Sequence, residues 1–316
     1  MKKYFTNNLN EQMGKEIVSF FAISEKQLRR SRAGKSYIRV SCVDNTGMIT
    51  GNIWENVKSL NKKFNEGDIA KVQALVEMYA GSLQFNITQI RTAQENEYDI
   101  SDFLATTPKD VDKLTDELFD FIDSVKNPYL NELLHLIFDD KEFLKNFVNA
   151  PAAKSWHHNF IGGLLHHSIT VTKICDAVSH FYEGIDRDLL ISGALIHDIG
   201  KIEEYHTKPF IDFTDTGKLI GHIVLGNKKV VDEIEKINNF PLNLKLKIQH
   251  LLLSHHGERE KGAVVLPKIR EAILMHFADN MDAQTTGAES IIKKAIDEKR
   301  TWSEYDRLTN RAYFTE

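Results

Sequence analysis

The sequence predicts a multidomain protein of mixed α and β class, with a small N-terminal β-barrel followed by an all-α helical bundle. Short alternating apolar runs separated by turn residues fill the first hundred residues, which indicates strands. From about residue 108 onward, apolar residues recur every three or four positions, which indicates helices. We therefore predict three segments: a barrel at 1–95, a linker and leading helices at 96–150, and a helical domain at 151–316.

The composition is that of an ordinary globular protein, with 316 residues, 42% hydrophobic and 27% charged. Its two cysteines, Cys42 and Cys175, are far apart and form no CxxC motif, which suits a reducing compartment and argues against a thiolate zinc site. The N-terminus lacks the apolar segment of a secretory signal. No run approaches the roughly 18 apolar residues of a membrane span. We expect a cytoplasmic protein without a membrane partner.

Four predicted strands cover residues 36–43, 48–54, 69–79 and 83–91. Turn signals lie at 44–47, 65–68 and 80–82, and residues 58–64 form a short polar helix or loop between the second and third strands. Four or five short strands with one small helix favour a small closed barrel. The oligonucleotide/oligosaccharide-binding (OB) fold is the leading candidate.

The charge distribution suggests that this barrel binds a polyanion. Residues 1–98 carry 14 Lys and Arg against 10 Asp and Glu, a net charge of +4, whereas the whole chain carries −5. Six of the basic residues fall within 26–39, although a solvated basic face explains the charge equally well. Such barrels bind single-stranded nucleic acid through aromatic and basic side chains. The candidate stacking residues are Tyr37, Trp54, Tyr79 and Phe85, each with a core position as its alternative, and the candidate phosphate contacts are Lys35, Arg39 and Arg91.

Eight helical segments are predicted after a linker at 94–109. They cover residues 111–125, 130–138, 141–149, 163–181, 187–199, 219–238, 242–255 and 266–282. Gly, Asn and Pro signals separate them.

Adjacent His197 and Asp198 lie at the end of an apolar predicted helix, 187–199. Gly200 is a natural helix stop and leaves both polar side chains at a mouth rather than in the core. A histidine supplies a neutral nitrogen, while a carboxylate supplies charge and can bridge two cations. The dipeptide alone is weak evidence for a metal site, and the following Ile-Gly-Lys strengthens it.

Other histidines and carboxylates lie near the ends of neighbouring predicted helices. They are His166 and His167, His222, His255 and His256, and Asp279 with Asp282. A set of histidines and carboxylates without cysteine suits Mn²⁺, Fe²⁺, Co²⁺ or Zn²⁺ better than Mg²⁺ alone. An isolated buried histidine is usually bonded to a backbone carbonyl, but five such positions in order are not independent accidents. His135, His180 and His250 match no part of the pattern and are assigned structural roles.

The order His167, then His197 and Asp198, then Asp279 resembles the H…HD…D signature of the HD superfamily. His222 and the His255–His256 pair are similar to the extra ligands of its two-metal members, and the family pattern Gly-Leu-Leu-x-His selects His167 rather than His166. Together with the OB-like N-terminus and the stretch 151–158, nearly the whole chain resembles the YhaM-type 3′-to-5′ exoribonucleases of Gram-positive bacteria.

The resemblance implies a metal-dependent enzyme that trims single-stranded RNA or DNA from its 3′ end, with Mn²⁺ or Co²⁺ as cofactor. Asp198 would bridge two ions, and a metal-activated water would attack phosphorus. Lys201 would hold a phosphate oxygen or protonate the leaving group, its alternative being a helix-end cation. Lys154, His157 and His158 are further candidates for phosphate contacts. The barrel would guide the strand toward the metals, and self-association is compatible with the sequence.

Two other functions stay open. In the first, the same metal site hydrolyses a small nucleotide such as a dNTP, a cyclic dinucleotide or a guanosine alarmone. Gly257-Glu258-Arg259 after the histidine pair departs from the Gly-Tyr-Pro segment of cyclic-di-GMP enzymes, and the barrel has no evident use with a mononucleotide. In the second, the protein only binds nucleic acid and its metal site is structural; the complete ligand set and Lys201 count against that.

Overall fold

The computed structural model describes residues 2–31, 33–154, 156–207 and 209–315. The chain divides into two compact units: Met1–Thr106 with Thr207–Ile211, called the barrel unit below, and Thr107–His206 with Asp212–Glu316, called the helical unit. The three-segment division at residues 95 and 150 stays a prediction. Arg32, one of the six basic residues within 26–39, lies outside the described residues.

The barrel unit is built on a closed five-stranded barrel. Its strands are β1 (Glu16–Arg30), β2 (Ser36–Asp44), β3 (Gly47–Ile53), β4 (Ile69–Tyr79) and β5 (Ser82–Thr92). They are hydrogen-bonded in the order β1-β2-β3-β5-β4, and β4 pairs with β1 to close the sheet. Only β3 and β5 run parallel among these pairs. Helix α1 (Val57–Leu60) lies between β3 and β4, and short 3-10 helices lie at Thr6–Gln12, Glu95–Glu97 and Ile100–Asp102. This arrangement is OB-like and confirms the predicted fold class.

Strand β1 was not among the predicted strands. Its first half alternates as a barrel strand should, with Ile17, Ser19 and Phe21 buried. Its second half is mostly exposed and charged and pairs only with β2. A register shift between Ile23 and Glu25 interrupts the alternation where the two halves meet. The composition of the second half therefore resembles a loop, and the sequence pattern missed the strand.

The barrel interior is aromatic and aliphatic. The rings of Phe21 and Phe85 lie 5.3 Å apart, and neither residue is exposed. The interpretation of Phe85 as a stacking residue is therefore wrong, because its ring fills the barrel. Tyr79, at the end of β4, is exposed.

The helical unit contains ten α-helices within its described residues, with one short 3-10 helix at Arg259–Lys261. The α-helices are α2 (Val111–Ser124), α3 (Pro128–Phe138), α4 (Lys141–Asn149), α5 (Gly163–Ser179), α6 (Arg187–Ile196), α7 (Lys201–Glu204), α8 (Asp215–Ile220), α9 (His222–Ile234), α10 (Leu242–Ser254) and α11 (Arg270–Asp297). Two short strands, β6 (Tyr205–His206) and β7 (Asp212–Phe213), form a small ribbon. None of the described helices has both the length and the apolarity needed to cross a bilayer.

A single apolar cluster holds the helical unit together, drawing buried side chains from α2–α6 and α9–α11. Helix α6 lies inside it, since every residue from Leu189 to Ile196 is buried. The buried position of α6 matters for the site, because the polar pair that follows Ile196 begins inside the protein rather than at its surface.

Two helix predictions are wrong in their bounds. The predicted helix 219–238 is two helices, since Gly221 separates α8 from α9 with a φ of 79°, a conformation that glycine adopts without strain. The predicted helix 266–282 begins at Arg270 and continues to Asp297. The second half of α11 is rich in polar residues, so apolar spacing gives little sign of its length.

Candidate metal centre

The structure brings the seven predicted ligands together from five helices. His167 lies on α5, His197 and Asp198 directly follow α6, His222 is the first residue of α9, His255 and His256 directly follow α10, and Asp279 lies on α11. His167, His197, Asp198 and His255 are at most 1% exposed. Helix ends supply most of the ligands, as in other helical bundles with internal metal sites.

Four of these side chains enclose one candidate metal position, called site A below. Asp198 Oδ2 lies 3.5 Å from His167 Nε2 and 3.3 Å from His197 Nε2. Asp279 Oδ1 lies 3.2 Å and 4.0 Å from the same two nitrogens. The two Nε2 atoms are themselves 3.3 Å apart. Since metal–ligand bonds are about 2.1 Å long, ligand atoms at this mutual spacing fit around one ion.

The second candidate position, site B, lies on the other side of Asp198. Asp198 Oδ1 is 3.5 Å from both His222 Nε2 and His255 Nε2, and His256 joins the two histidines in a group whose ligand atoms lie within 4.8 Å of one another. Asp198 Oδ1, His222 Nε2 and His255 Nε2 are buried and have no hydrogen-bond partner among the described residues. Each such atom costs about 1–3 kcal/mol, and a shared cation would remove that cost for all three.

All five histidines of sites A and B turn Nδ1 away from the centre to a fixed partner. The partners are Asp282 for His167 (2.6 Å), Ala194 O for His197 (2.8 Å), Glu204 for His222 (3.0 Å), Leu252 O for His255 (2.7 Å) and Lys261 O for His256 (2.8 Å). A carbonyl or carboxylate acceptor places the proton on Nδ1 and leaves Nε2 with its lone pair. This arrangement is typical of metal-ligating histidines.

The electrostatics of the centre favour a cation. Burial alone would lower the pKa of His167, but its hydrogen bonds to Asp198, Asp279 and Asp282 raise that pKa well above the usual value, so an ion at site A would replace the proton on its Nε2. Burial would raise the pKa of Asp198, yet Lys201 and the neighbouring histidines hold it well below its usual range. Burial lowers the pKa of His256 to about 3. Ionised carboxylates beside imidazole nitrogens attract a divalent ion.

Among the described residues, Lys201 is the lysine whose side chain contacts the predicted ligands. Its ammonium lies 2.5 Å from Asp198 Oδ2, and the residue is 6% exposed. Lys201 begins α7 rather than ending a long helix, so the alternative of a solvated helix-end cation does not describe its surroundings. A buried ammonium beside a bridging carboxylate can also contact an anionic substrate there.

Gly200 is needed for a different reason from the one predicted. Helix α6 already ends at Ile196, and Gly200 has an ordinary φ of −64°. A Cβ at residue 200 would clash with the backbone carbonyl oxygen of His222. The glycine therefore lets the start of α9 approach Asp198 closely enough for His222 to face it.

Sequence reasoning named Asp282 only as a carboxylate beside Asp279, without its outer role, and it missed Glu204. Asp282 accepts hydrogen bonds from His167 Nδ1 at 2.6 Å and from His158 Nε2 at 2.9 Å. Glu204 accepts from both the backbone N–H and Nδ1 of His222 at 3.0 Å. Asp282 follows Asp279 by three residues on α11, one turn along the same face, and that spacing was a usable signal. Glu204 carried no comparable signal, because its contact depends on the turn that returns the chain to α9.

Three of the predicted nucleic-acid residues lie together on the barrel. The rings of Tyr37 and Trp54 are stacked, with centroids 4.4 Å apart and planes 20° apart. Trp54 and Lys35 line a cavity of about 570 Å³ with Leu28 and Lys58. An aromatic surface next to lysines can stack a base and contact its phosphate. We call Lys35, Tyr37, Arg39 and Trp54 the barrel face.

The two barrel arginines differ. Arg39 is exposed on β2. Arg91 instead donates two hydrogen bonds to the Glu97 carboxylate, at 2.7 and 2.6 Å, and these lower the pKa of Glu97 to about 2. A phosphate at Arg91 would therefore have to displace a carboxylate.

The remaining candidates lie in the helical unit and have different surroundings. Lys154 is exposed and paired with Asp212 at 2.7 Å. His158 is 2% exposed and bonded to Asp282, so the structure does not place it where a phosphate contact requires it. His157 is close to site A, its ring 4.9 Å from that of His167, and both of its nitrogens are buried without a hydrogen-bond partner among the described residues. Trp156 fixes this segment, because its indole occupies the space that a Cβ at Gly287 would need.

Comparison with known proteins identifies the relatives of this chain. Residues 164–284, which include all seven candidate ligands, match the family model of the HD domain. The 3′-5′ exoribonuclease YhaM of Bacillus licheniformis is 29% identical over 308 residues, which cover 96% of this chain and 96% of that protein. The resemblance inferred from the sequence motifs is confirmed.

Solved structures give weaker likenesses. The second OB-fold domain of replication protein A from Methanococcus maripaludis is 21% identical, with a TM-score of 0.20, and the match covers 27% of this chain and 87% of that one. An aspartyl-tRNA synthetase from Entamoeba histolytica is 10% identical, with a TM-score of 0.26, over 57% of this chain and 36% of that one. At these scores neither likeness carries an argument about this protein.

Proposed function

We propose that this protein is a metal-dependent 3′-to-5′ exoribonuclease that hydrolyses phosphodiester bonds at a two-metal centre. The observation that carries the proposal is the position of Asp198, whose Oδ2 faces His167 and His197 while its Oδ1 faces His222 and His255. The relative that matches nearly the whole chain is a 3′-5′ exoribonuclease. The direction of digestion and the choice of RNA rest on that likeness.

The donor set fits two divalent ions. His167, His197, Asp198 and Asp279 would hold one, and Asp198, His222, His255 and His256 would hold the other. The buried, unpartnered Asp198 Oδ1, His222 Nε2 and His255 Nε2 support this assignment. Nitrogen and carboxylate ligands without cysteine suit Mn²⁺ first, with Co²⁺, Fe²⁺ and Zn²⁺ as alternatives.

Bound ions at these positions would supply a water of lowered pKa as nucleophile and would neutralise phosphate charge. The protein's own groups orient the reactants. Lys201, buried and 2.5 Å from Asp198, would hold a phosphate oxygen or protonate the leaving group. His157, whose two nitrogens are buried without a described partner, would donate a hydrogen bond to a phosphate oxygen. Asp282 and Glu204 would fix the rings of His167 and His222.

The barrel face would bind the single strand by stacking on Trp54 and Tyr37 and through contacts from Lys35 and Arg39 to phosphates. Phosphate contacts of this kind weaken with salt. Single-stranded DNA is the alternative substrate, since nothing in the barrel face singles out the 2′-hydroxyl. Cytoplasmic location and self-association stay predictions.

A time course on RNA labelled at its 5′ end tests the proposal, run with Mn²⁺, with Mg²⁺ and with chelator. We expect a ladder that shortens from the 3′ end with Mn²⁺ and intact RNA with chelator. The same assay on DNA of equal sequence measures the preference for ribose.

Two histidine variants make the assay specific to the centre. His197→Ala removes a predicted ligand, whereas His180→Ala removes an exposed histidine at the end of α5 and serves as the matched control. We expect activity to be lost in the first variant and kept in the second. If RNA stayed intact under all conditions and dNTPs or cyclic dinucleotides were hydrolysed instead, the metal centre would be supported and RNA would be rejected as the substrate.

A further inference from the structure

One histidine beside the candidate metal centre has no role in the proposed reaction. His276 lies on α11, one turn before Asp279, which belongs to site A. Its Nδ1 lies 2.9 Å from the backbone carbonyl oxygen of His255, a candidate ligand of site B. Because a carbonyl oxygen only accepts, Nδ1 of His276 donates this hydrogen bond. Helix α11 therefore contributes to site A directly, through Asp279, and contacts the backbone of a site B ligand through His276.

The two consecutive ligands of site B lie on a tight turn at residues 255–262, called the ligand turn below. Gly257 has a φ of 75°, a conformation that glycine adopts without strain, and its N–H donates to Ser254 O at 2.8 Å. A Cβ at residue 257 would clash with Nδ1, Cε1 and Nε2 of His276. The edge of the His276 ring therefore packs against the Cα of Gly257, in space that a larger residue would fill.

The other contacts of His255 and His256 are local. Nδ1 of His255 donates to Leu252 O at 2.7 Å, within the last turn of α10. Nδ1 of His256 donates to Lys261 O at 2.8 Å, within the ligand turn itself. These two bonds orient the rings relative to their own segment, but they do not fix that segment relative to another helix. Among the hydrogen bonds between described residues, the one from His276 is the one that joins the ligand turn to α11.

This contact matters for site B because the ligand atoms are carried by the turn. Nε2 of His255 lies 3.5 Å from Asp198 Oδ1, and His256 belongs to the same group of ligand atoms. If the ligand turn moved away from α11, both imidazoles would move with it and the second metal position would widen. The ligands of site A come from α5, the end of α6 and α11, so they would keep their places. Partners that orient metal ligands affect metal affinity in this way.

We infer that His276 is a positioning residue for site B, and that its Nδ1–H holds the ligand turn so that His255 and His256 face the second metal position. The inference rests on the two-metal centre of the proposed function. His276 acts through a backbone carbonyl and a glycine, so it contacts neither the ions nor the RNA.

Isothermal titration calorimetry of Mn²⁺ into metal-free full-length protein tests the inference in two backgrounds. His222→Ala removes a ligand of site B and leaves site A to be measured, whereas His197→Ala leaves site B. We expect wild type to bind two Mn²⁺ and each of these variants to bind one. Adding His276→Ala should weaken Mn²⁺ binding by about tenfold in the His197→Ala background, as loss of an outer partner does. In the His222→Ala background it should change the affinity by less than about twofold.

Two further substitutions in the His197→Ala background separate the hydrogen bond of His276 from its packing. His276→Phe keeps a ring against Gly257 but has no donor, so it should weaken Mn²⁺ binding as much as His276→Ala. His276→Asn places an amide N–H near the position of Nδ1 and should restore most of the affinity. A packing role would give the reverse order. His180→Ala removes an exposed histidine at the end of α5 and should leave Mn²⁺ affinity unchanged in both backgrounds.

Equal weakening of both sites by His276→Ala would overturn the inference, because it would show general support of the helical unit. Unchanged affinity at both sites would overturn it as well. Thermal unfolding of the metal-free variants checks their folding, and the comparison of His276→Phe with His276→Asn decides the question if His276→Ala does not fold.

The exonuclease proposal is judged separately, from RNA shortening by wild type. RNA shortening together with unaltered Mn²⁺ binding in the His276 variants would reject the positioning role alone. Two bound Mn²⁺ with intact RNA would reject the activity and leave the positioning role to the titrations. Fewer than two Mn²⁺ bound by wild type would overturn the two-metal centre and this inference together.

Discussion

At the candidate metal centre the polar side chains are buried and fixed from outside, whereas the side chains of the barrel face are exposed or half-buried. At the candidate metal centre, five histidines turn Nδ1 to a carbonyl or carboxylate and Nε2 inward. On the barrel, Tyr37 stacks on Trp54, and the nearby Arg39 is exposed. Buried polar atoms without partners point to a ligand because burial makes them costly, while exposed ones are satisfied by water. The buried atoms of the candidate centre therefore indicate which kind of ligand they bind, whereas the side chains of the barrel face do not.

The largest effect is expected from Asp198→Asn, which would separate the two regions most sharply. Removing the charge of the carboxylate shared by sites A and B should cost several kcal/mol of transition-state stabilisation, or about 10³-fold in hydrolysis. RNA affinity measured in chelator should stay within about twofold of wild type, because the barrel face is untouched. If hydrolysis and affinity fell together, the division of labour would be refuted.

A smaller loss is expected from Asp282→Asn, which acts through His167. Outer carboxylates of this kind typically contribute about 10- to 100-fold in metal affinity or activity. The Mn²⁺ concentration needed for half-maximal activity should therefore rise, and activity should recover in part at high Mn²⁺. A purely structural role for Asp282 would instead lower thermal stability and leave the Mn²⁺ requirement where it was. The control is Asp232→Asn, on the exposed face of α9 and outside the centre. Asp188→Asn would be a poorer control, because Asp188 accepts hydrogen bonds from two backbone N–H groups.

On the barrel, Trp54→Ala should weaken binding of single-stranded RNA by about tenfold, within the roughly 1–3 kcal/mol of one stacked base. Fluorescence anisotropy with a labelled oligonucleotide in chelator measures this. Hydrolysis of a dinucleotide, too short to need the barrel face, should be unchanged. The matched control is Trp302→Ala, since Trp302 is an exposed tryptophan that lies in the helical unit rather than on the barrel face. Equal losses for both tryptophans would contradict the assignment of Trp54.

The smallest effect distinguishes the two barrel arginines. Arg39→Ala should reduce the slope of log affinity against log salt by about 0.7, as expected for one phosphate contact with a single strand. Arg91→Ala should change it less, because Glu97 already neutralises Arg91 through two hydrogen bonds. Salt titrations of RNA affinity compare the variants directly, and a larger slope change for Arg91 would show that the carboxylate is displaced by RNA.

The candidate metal centre was more predictable than the barrel, and the reason is chemical. Ligands must be His or carboxylate, so His167, His197, His222 and His255 stood out by type and order, and the helices that carry them follow from apolar spacing. The outer partner Glu204 left no sign, because the contact is made by a turn that spacing does not encode. Strand β1 was missed since half of it is exposed and charged.

Predictions from residue type were least reliable for side chains that occur both in the protein core and at binding surfaces. Phe85 and Trp54 are both aromatic residues in or beside barrel strands, and only the fold shows that Phe85 is 0% exposed while Trp54 lines a cavity. Likewise His157 and His158 are adjacent, yet the structure gives His158 a carboxylate partner and leaves both nitrogens of His157 without one among the described residues.

Trp156 gives the protein an optical reporter of its own. The chain contains three tryptophans, Trp54, Trp156 and Trp302. Trp156 lies against Gly287 of α11 and directly before His157, whose ring is 4.9 Å from that of His167. With the other two replaced by phenylalanine, the remaining emission comes from beside the metal centre. Paramagnetic Mn²⁺ quenches indole fluorescence whereas Zn²⁺ does not. Binding of Mn²⁺ at the centre can therefore be followed in a fluorimeter, without label and without substrate.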